Sequence, residues 1–224
     1  MTVAKRIQSR AIRSVIPVLL AGAVLGLAGC ESSGGGDGGG DSSDFGDRDP
    51  SACAVVGDSI AVGYGDAGTP WPARLAARLE RNVANHAVAG STSGGARAIL
   101  GGVLARDAGF ILIATGANDA IHGYGADTVR ANLAAMIGDI RAAHAVPVVG
   151  NVTQMADDHA IFNGEAIEIN AAIRDLCSSE GVLFVDLNKV VSADMLQADG
   201  LHPNSDGQEA IASAFYDKLK NRVH

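Results

Sequence analysis

The sequence predicts an α/β fold: a three-layer α/β/α sandwich in which helices cover both faces of a five-stranded parallel sheet. After residue 50, short apolar runs alternate with segments whose apolar residues recur every three or four positions. The first pattern is typical of buried strands and the second of amphipathic helices. Because the strand-like runs are apolar throughout, we expect a parallel sheet that is buried on both faces.

The first 29 residues have the pattern of a secretory signal peptide. Four basic residues precede an almost wholly apolar run over residues 15–29, which is too short to span a bilayer comfortably. Residues 27–30 read Leu-Ala-Gly-Cys and resemble a bacterial lipobox, in which cleavage leaves Cys30 as a lipidated N-terminus. The alternative is an ordinary signal peptide with an unrelated cysteine. The lipobox predicts a lipid-anchored protein of the bacterial cell envelope that faces the periplasm or the exterior.

Residues 30–50 are predicted to be the lipidated cysteine and a flexible linker. This segment consists largely of Gly, Ser and Asp, so it has almost no apolar side chains that could offset the entropy lost on ordering. One Gly-Gly-Gly-Asp-Gly-Gly-Gly-Asp stretch resembles a calcium-binding repeat, but a single copy without strand residues favours a linker. We therefore expect the folded domain to comprise residues 51–224.

The charge of the chain argues against a nucleic-acid partner. The formal net charge is −8, and removal of the four leader cations leaves 13 basic and 25 acidic residues, a net charge of −12. Phosphate contacts need a basic surface, so no nucleic-acid binding is expected. The same acidity disfavours broad contact with anionic headgroups, so membrane attachment should depend on the lipid at Cys30.

Five apolar runs after residue 50 are predicted to be strands. They cover residues 52–56, 82–88, 110–114, 147–152 and 182–185. The third run, Phe-Ile-Leu-Ile-Ala, is the most hydrophobic and is therefore expected at the centre of the sheet.

Helical patterns lie between these strands. A short helix is predicted over Trp71–Leu79, where two prolines mark its start, and another over residues 165–177. Asp127 is predicted to cap a helix that runs to about Ala143. The apolar stripe of that helix consists of Val129, Leu133, Met136, Ile137 and Ile140.

The last helix is predicted to begin at Ser205. Ser205 and Gln208 have the spacing of a capping box, in which each side chain bonds a backbone N–H of the other residue. Ile211, Phe215 and Leu219 then supply the apolar stripe. This start places His202 on a loop just before the helix.

A polar cluster follows the first predicted strand. Residues 54–60 read Ala-Val-Val-Gly-Asp-Ser-Ile, so Ser59 is expected at the carboxyl edge of the sheet, where open α/β folds bind ligands. A serine nucleophile needs a base to take its proton and a third group to hold that base, and Asp199 and His202 offer such a pair. Taken alone, Ser59 has the alternative role of a helix cap, and Asp199 that of a turn residue before Gly200.

Four sequence blocks occur in the order typical of the SGNH (or GDSL) hydrolases. They are Gly-Asp-Ser-Ile at 57–60, Asn-His-Ala-Val-Ala-Gly at 85–90, Gly-Ala-Asn-Asp at 116–119 and Asp-Gly-Leu-His-Pro at 199–203. From about Ser51 to its C-terminus the chain resembles this family, and within it the small periplasmic thioesterase/arylesterase (lysophospholipase) type. The resemblance implies the flavodoxin-like fold of these hydrolases. Ile60 stands where the family often has Leu, which changes a packing residue and not the chemistry.

The resemblance implies catalytic roles for five residues. Ser59 would be the nucleophile, His202 the general base, and Asp199 the carboxylate that orients the imidazole. The oxyanion hole would consist of the backbone N–H groups of Ser59 and Gly90 and the side-chain amide of Asn118. As alternatives, the Gly-rich segment after Gly90 could cradle phosphate, although the Lys of a P-loop is missing, and Asn118 could belong to a plain turn.

The implied activity is serine esterase activity without a metal or cofactor. The substrates would be small carboxylic esters: short acyl esters, thioesters, lysophospholipids or O-acetyl glycans. Asp157, Asp158 and His159 suggest a metal cluster, but adjacent residues on a polar loop rarely converge on one ion, so a solvated loop that borders the cleft is favoured. The alternative from another class is a non-catalytic envelope lipoprotein that binds glycan through an inactive hydrolase-like cleft.

Cys53 and Cys177 remain once Cys30 is assigned to the lipid. A disulfide could persist in an oxidising compartment. The strand order implied by the resemblance places other strands between them, so two buried thiols are favoured.

Overall fold

The computed structural model describes residues 44–65 and 67–223. The predicted signal peptide, Cys30 and the linker up to residue 43 lie outside these residues. One five-stranded parallel sheet has the order β2-β1-β3-β4-β5. Its strands are β1 (Asp49–Gly57), β2 (Val83–Asn85), β3 (Ala108–Ala114), β4 (Val146–Gly150) and β5 (Leu183–Val185). The predicted parallel sheet and the central place of its third strand are therefore confirmed.

Eight α-helices connect or follow these strands in the described part of the chain. They are α1 (Ser59–Val62), α2 (Trp71–Leu79), α3 (Ser93–Leu104), α4 (Ala117–His122), α5 (Ala126–Ala142), α6 (Asn163–Glu180), α7 (Leu187–Val190) and α8 (Ser205–Leu219). None of the described helices is both long and apolar enough to cross a bilayer. The four predicted helices correspond to α2, α5, α6 and α8.

The helices pack in two groups around the sheet. Helix α5 contacts both α3 and α6, while α2 packs against α8, which also contacts α7. Every residue of β3 is buried, as a strand between two helical layers must be. The predicted apolar stripes of α5 and α8 are both buried in this core.

Helix α3 was not predicted from the sequence. Its four glycines and its Ser-rich start are typical of a loop. The helix forms because Thr92 caps it, accepting the N–H of Gly95 at 3.3 Å, and because Leu100 and Val103 are buried against the sheet and α5. Tertiary packing therefore overrides the weak helix propensity of this segment.

Two predicted helix caps were wrong. Helix α5 begins after Gly125, and Asp127 lies inside its first turn. Helix α8 is capped by Asn204, whose Oδ1 accepts the N–H groups of the second and third helical residues at 2.9 and 3.1 Å. Ser205 is therefore the first helical residue. The side chain of Gln208 turns into the protein instead of closing a capping box.

Both remaining cysteines are buried free thiols, the arrangement that the sequence favours over a disulfide. Cys53 lies in β1 and Cys177 in α6. Burial raises the pKa of Cys53 to about 12, with a further contribution from Asp49, and burial raises the pKa of Cys177 to about 11. Neither thiol is therefore activated as a nucleophile at neutral pH.

The folded domain includes residues before 51, which the sequence assigned to the linker. Phe45 packs against Phe110 of β3, with ring centroids 5.4 Å apart, and β1 begins at Asp49. Arg48 donates hydrogen bonds to four backbone carbonyls, those of Leu104, Arg106, Ala108 and Ala143. The sequence does not indicate these contacts, because the segment is polar and all of its partners are distant in sequence.

Replacement of Arg48 by Met should lower the free energy of unfolding by about 2–3 kcal/mol, because carbonyls that the guanidinium satisfies would lose a charged donor. Urea denaturation monitored by circular dichroism measures this change. Arg97→Met, on the exposed side of α3, is the matched control. Equal stability of the two variants would contradict a structural role for the segment before residue 51.

Candidate active site

Ser59 lies at the carboxyl edge of the sheet, where β1 ends. A Cβ atom at Gly57 would lie 2.7 Å from the carbonyl oxygen of Ala114, so the close approach of β1 and β3 requires glycine there. Asp58 caps the next helix by accepting the N–H of Ile60 at 3.0 Å. Ser59 is thereby fixed as the first residue of α1 and remains 9% exposed.

A tight turn before α8 brings His202 next to Asp199. One carboxylate oxygen of Asp199 accepts the backbone N–H groups of Leu201 and His202, each at 3.0 Å. Gly200 has a φ of +68°, and a Cβ atom there would lie 2.2 Å from the carbonyl oxygen of Ala156. Glycine is therefore required both for the turn and for its contact with the neighbouring loop.

The structure joins Ser59, His202 and Asp199 in one hydrogen-bonded series. His202 Nε2 lies 2.9 Å from Ser59 Oγ, and His202 Nδ1 lies 2.6 Å from Asp199 Oδ2. Burial acts to raise the pKa of Asp199, but hydrogen bonds from the side chain and N–H of His202 and from the N–H of Leu201 lower it overall. Asp199 is therefore a carboxylate at neutral pH and can hold the imidazole Nδ1–H.

An open cleft of about 250 Å³ lies over this series. It is lined by Ser59, Tyr64, Ala89, Gly90, Asn118, Leu201 and His202. Gly90 has a φ of +76°, and no atom lies within 4 Å of the position that a Cβ would take. The backbone of Gly90 is therefore accessible from the cleft. Tyr64 forms one wall, with its ring centroid 4.8 Å from that of His202.

Asn118 is held at this cleft by the loop that follows β2. It is the second residue of α4, which begins directly after β3, and its Nδ2 donates to the carbonyl of Ser91 at 3.0 Å. The bond uses one of the two amide hydrogens. Its geometry fixes the orientation of the Asn118 side chain relative to Gly90, the neighbour of Ser91.

A buried polar network supports the same loop. Asp119 is fully buried and accepts both the N–H and the hydroxyl of Ser93, at 2.8 and 2.6 Å, while Asn132 donates to the Ser93 hydroxyl at 3.0 Å. Sequence reasoning missed Ser93 and Asn132 and gave Asp119 no role. Asp119 lies in the Gly-Ala-Asn-Asp motif directly after Asn118, and this position could have indicated a role at the site.

His159 contacts the turn that carries Asp199. It lies in the 3₁₀ helix Asp157–Phe162, and its Nδ1 lies 2.7 Å from the Asp199 carbonyl oxygen. Over residues 44–65 and 67–223, no three His, Cys, Asp or Glu side chains form a group that could hold a metal ion. The histidine of this polar cluster thus braces the 199–202 turn.

Residues 55–210 match the model of the GDSL-like lipase/acylhydrolase family. The chain belongs to this family. Because the match covers most of the described domain, including all four sequence blocks, we assign the chain as an SGNH-type carboxylic ester hydrolase.

Individual relatives agree with this assignment. The hydrolase is 26% identical over 174 residues to thioesterase 1/protease 1/lysophospholipase L1 of Escherichia coli K12, a match that covers 76% of this chain and 84% of the relative. It is 29% identical over 174 residues to esterase TesA of Pseudomonas aeruginosa, with coverage of 74% and 86%. A crystal structure of TesA matches with a TM-score of 0.67 and 27% identity, covering 75% of this chain and 98% of that structure.

Asp58 of this hydrolase is a second carboxyl group close to the nucleophile candidate, in a very different environment from Asp199. Only 3% of it is exposed. Burial raises its pKa to about 7, and the charge of Asp119 adds to the increase, while the N–H of Ile60 opposes it. In an unfolded chain the same group ionises near pH 3.8.

Replacement of Asp58 by Asn should therefore stabilise the protein more at pH 8 than at pH 5. The folded state binds the Asp58 proton more tightly than the unfolded chain does, and this contribution to stability is complete below the unfolded pKa of 3.8. It is lost as pH rises through about 7, because the folded state must then hold a buried charge. Asn keeps the capping oxygen. We expect the advantage of Asp58→Asn in unfolding free energy to grow by about 2–3 kcal/mol between these pH values.

Thermal and urea unfolding at both pH values test this expectation. Asp139→Asn, on the exposed side of α5, controls for the loss of one carboxylate. An advantage of Asp58→Asn that stays constant with pH, or that decreases as pH rises, would show that Asp58 is ionised in the fold at pH 5.

Proposed function

We propose that this hydrolase cleaves short acyl esters and thioesters through an acyl-enzyme intermediate. The observation that carries the proposal is the hydrogen-bonded series of Ser59, His202 and Asp199 directly beneath an open cleft. A hydroxyl, an imidazole and a carboxylate in this order activate a serine for attack on a carbonyl carbon. The family assignment supports the same chemistry.

The acylation step follows from the two hydrogen bonds. His202 Nε2 accepts the proton of Ser59 Oγ while Oγ bonds to the ester carbonyl carbon, and Asp199 stabilises the imidazolium that forms. When the tetrahedral intermediate collapses, the bond to the leaving oxygen or sulfur breaks and His202 donates its proton to that atom. A water molecule, deprotonated by His202, then attacks the acyl carbon. The bond from that carbon to Ser59 Oγ breaks, His202 returns the proton to Oγ, and the carboxylic acid leaves.

Three donors are proposed to stabilise the negative oxygen of the intermediate. They are the backbone N–H groups of Ser59 and Gly90 and the second amide hydrogen of Asn118. All three residues line the same cleft, and the contact of Asn118 with the Ser91 carbonyl restricts rotation of its amide. Each such donor contributes roughly 3–4 kcal/mol to transition-state stabilisation.

The size and lining of the cleft favour a small acyl group. Its volume of about 250 Å³ lies just below the usual range for pockets that bind drug-sized ligands, roughly 300–1,000 Å³. Ala89, Leu201 and the Tyr64 ring supply apolar contact. The seven lining residues include neither Lys nor Arg, so the site offers no ion pair to an anionic leaving group. Acetyl and butyryl esters of uncharged alcohols fit these features.

Replacement of Ser59 by Ala should reduce the rate of p-nitrophenyl acetate hydrolysis at least about 1,000-fold, because no acyl-enzyme can form. Asp199→Ala should have a smaller effect, since the nucleophile and base remain. The release of p-nitrophenolate measures both rates. Ser179→Ala, in the last turn of α6, is the matched control and should retain the wild-type rate. Equal rates for Ser59→Ala and wild type would exclude the serine mechanism and favour a glycan-binding role.

We also propose that a lipid on Cys30 holds the protein at a membrane. The proposal rests on the lipobox at residues 27–30 and the preceding apolar run. A polar segment of Gly, Ser and Asp between the lipid and residue 44 would let the cleft reach soluble or envelope-bound esters.

Replacement of Cys30 by Ser should release the protein from the membrane fraction, because the chain then has no acyl chains and its apolar run over residues 15–29 is too short to span a bilayer. Carbonate washing of membranes followed by immunoblotting distinguishes the two proteins. Wild type should remain with the membranes and Cys30→Ser should appear in the wash. Retention of both would exclude the lipid as the anchor.

A further inference from the structure

Helix α1, which begins with the proposed nucleophile, depends on side chains from other parts of the chain. A helix of four residues has too few internal hydrogen bonds to be stable alone, and its last carbonyls have no partner within the helix. The Ile60 carbonyl accepts a hydrogen bond from Gln208 Nε2 at 3.0 Å, and the Ala61 carbonyl accepts one from Asn85 Nδ2 at 2.7 Å.

Gln208 is held at both ends of its amide. Its Oε1 accepts the backbone N–H of Trp71, the first residue of α2, at 2.8 Å. Only 1% of Gln208 is exposed. The Trp71 ring is stacked on Phe215, with centroids 4.6 Å apart and planes 7° apart, so the same helix fixes α2 at a second point. An amide bonded on both sides and enclosed by protein has little freedom to move.

The cap of α8 connects the backbone of Gln208 to the turn that carries His202. Asn204 caps α8 and also donates through Nδ2 to the carbonyls of Asp194 and Leu196, at 3.1 and 3.3 Å. His202 is two residues before this cap. The 199–202 turn and the first helical turn of α8 therefore form one rigid segment. The side chain of Gln208 extends from this segment to α1, the helix that carries Ser59.

We propose that Gln208 is a positioning residue that sets the separation of Ser59 from His202 by tying α1 to α8. The inference rests on the proposed roles of these two residues as nucleophile and base. The side chain of Gln208 bonds Trp71 and Ile60, and neither these residues nor Gln208 line the cleft, so its effect is on geometry and not on substrate contact. Loss of its two bonds would leave the Ser59 hydroxyl free to drift from His202 Nε2.

The key variant is Gln208→Met, which fills a similar volume and removes both hydrogen bonds. We expect kcat for p-nitrophenyl acetate to fall about 10- to 100-fold, the effect of a misplacement of reacting groups by about 1 Å. KM should stay within about twofold. The reaction of Ser59 with an alkyl fluorophosphonate should slow by the same factor as kcat, because this reagent reports the activation of the hydroxyl.

The matched control is Phe215→Leu in the full-length protein. This variant weakens the contact between α2 and α8 but leaves the bond to Ile60 intact. It should lose stability and retain kcat within about twofold. Trp71 is the sole tryptophan of the chain, so its fluorescence reports folding of the α2–α8 contact in every variant.

Gln208→Glu provides a second test. In Gln208→Glu the buried carboxyl is neutral and can keep both bonds, so this variant should retain kcat, whereas Gln208→Leu removes both bonds and should lose kcat as Gln208→Met does. If Gln208→Met does not fold, Gln208→Leu decides the question by the same measurements.

Several results would overturn the inference. They are a wild-type kcat in folded Gln208→Met or Gln208→Leu, equal losses of kcat in Gln208→Met and Phe215→Leu, or a loss confined to KM. These outcomes are distinct from failure of the proposed function. If Ser59→Ala is inactive and Gln208→Met is fully active, only the role of Gln208 is excluded, whereas a fully active Ser59→Ala excludes the serine mechanism itself.

Discussion

The hydrogen bond between Ser59 Oγ and His202 Nε2 is the constraint on which the rest of this site depends. It joins two residues that are 143 positions apart in the chain, and both lie on short segments that have no stability of their own. The parallel sheet delivers Ser59 to the carboxyl edge at the end of β1, and α8 holds the His202 turn over the same edge. The glycines at 57 and 200 permit the close backbone contacts that this geometry demands.

Two carboxyl groups near Ser59 have opposite electrostatic properties because their surroundings differ. Asp199 lies at the surface of the site and receives hydrogen bonds from the imidazole and two N–H groups, so its pKa is lowered despite partial burial. Asp58 is enclosed and faces the charge of Asp119, and these effects outweigh its backbone hydrogen bonds, so its pKa is raised. The same side-chain chemistry thus supplies a carboxylate beside His202 and, beside the nucleophile, a helix cap that keeps its proton up to about pH 7.

Much of the fold and the central site residues could be predicted from the sequence. Continuous apolar runs identified the parallel strands, and the apolar stripe of α5 appears in the structure as a buried face. Ser59, Asp199 and His202 could be selected because each lies in a short motif whose turn residues indicate a sheet edge or a loop. Such features are local, since side-chain periodicity and turn chemistry depend on residues only a few positions apart.

The tertiary structure alone decided which distant groups meet. The glycines of α3 indicate a loop, and packing makes them a helix. Ser205 and Asn204 are both good helix caps, and only the contacts of Asn204 with the 194–196 segment select it. Arg48 and Gln208 look like ordinary polar residues, yet their partners are carbonyls far along the chain. Sequence determined the elements and the chemically capable residues of this hydrolase. The pairing of buried donors with remote acceptors was decided only when the chain folded, because hydrogen-bond partners of this kind leave no periodic pattern in the sequence.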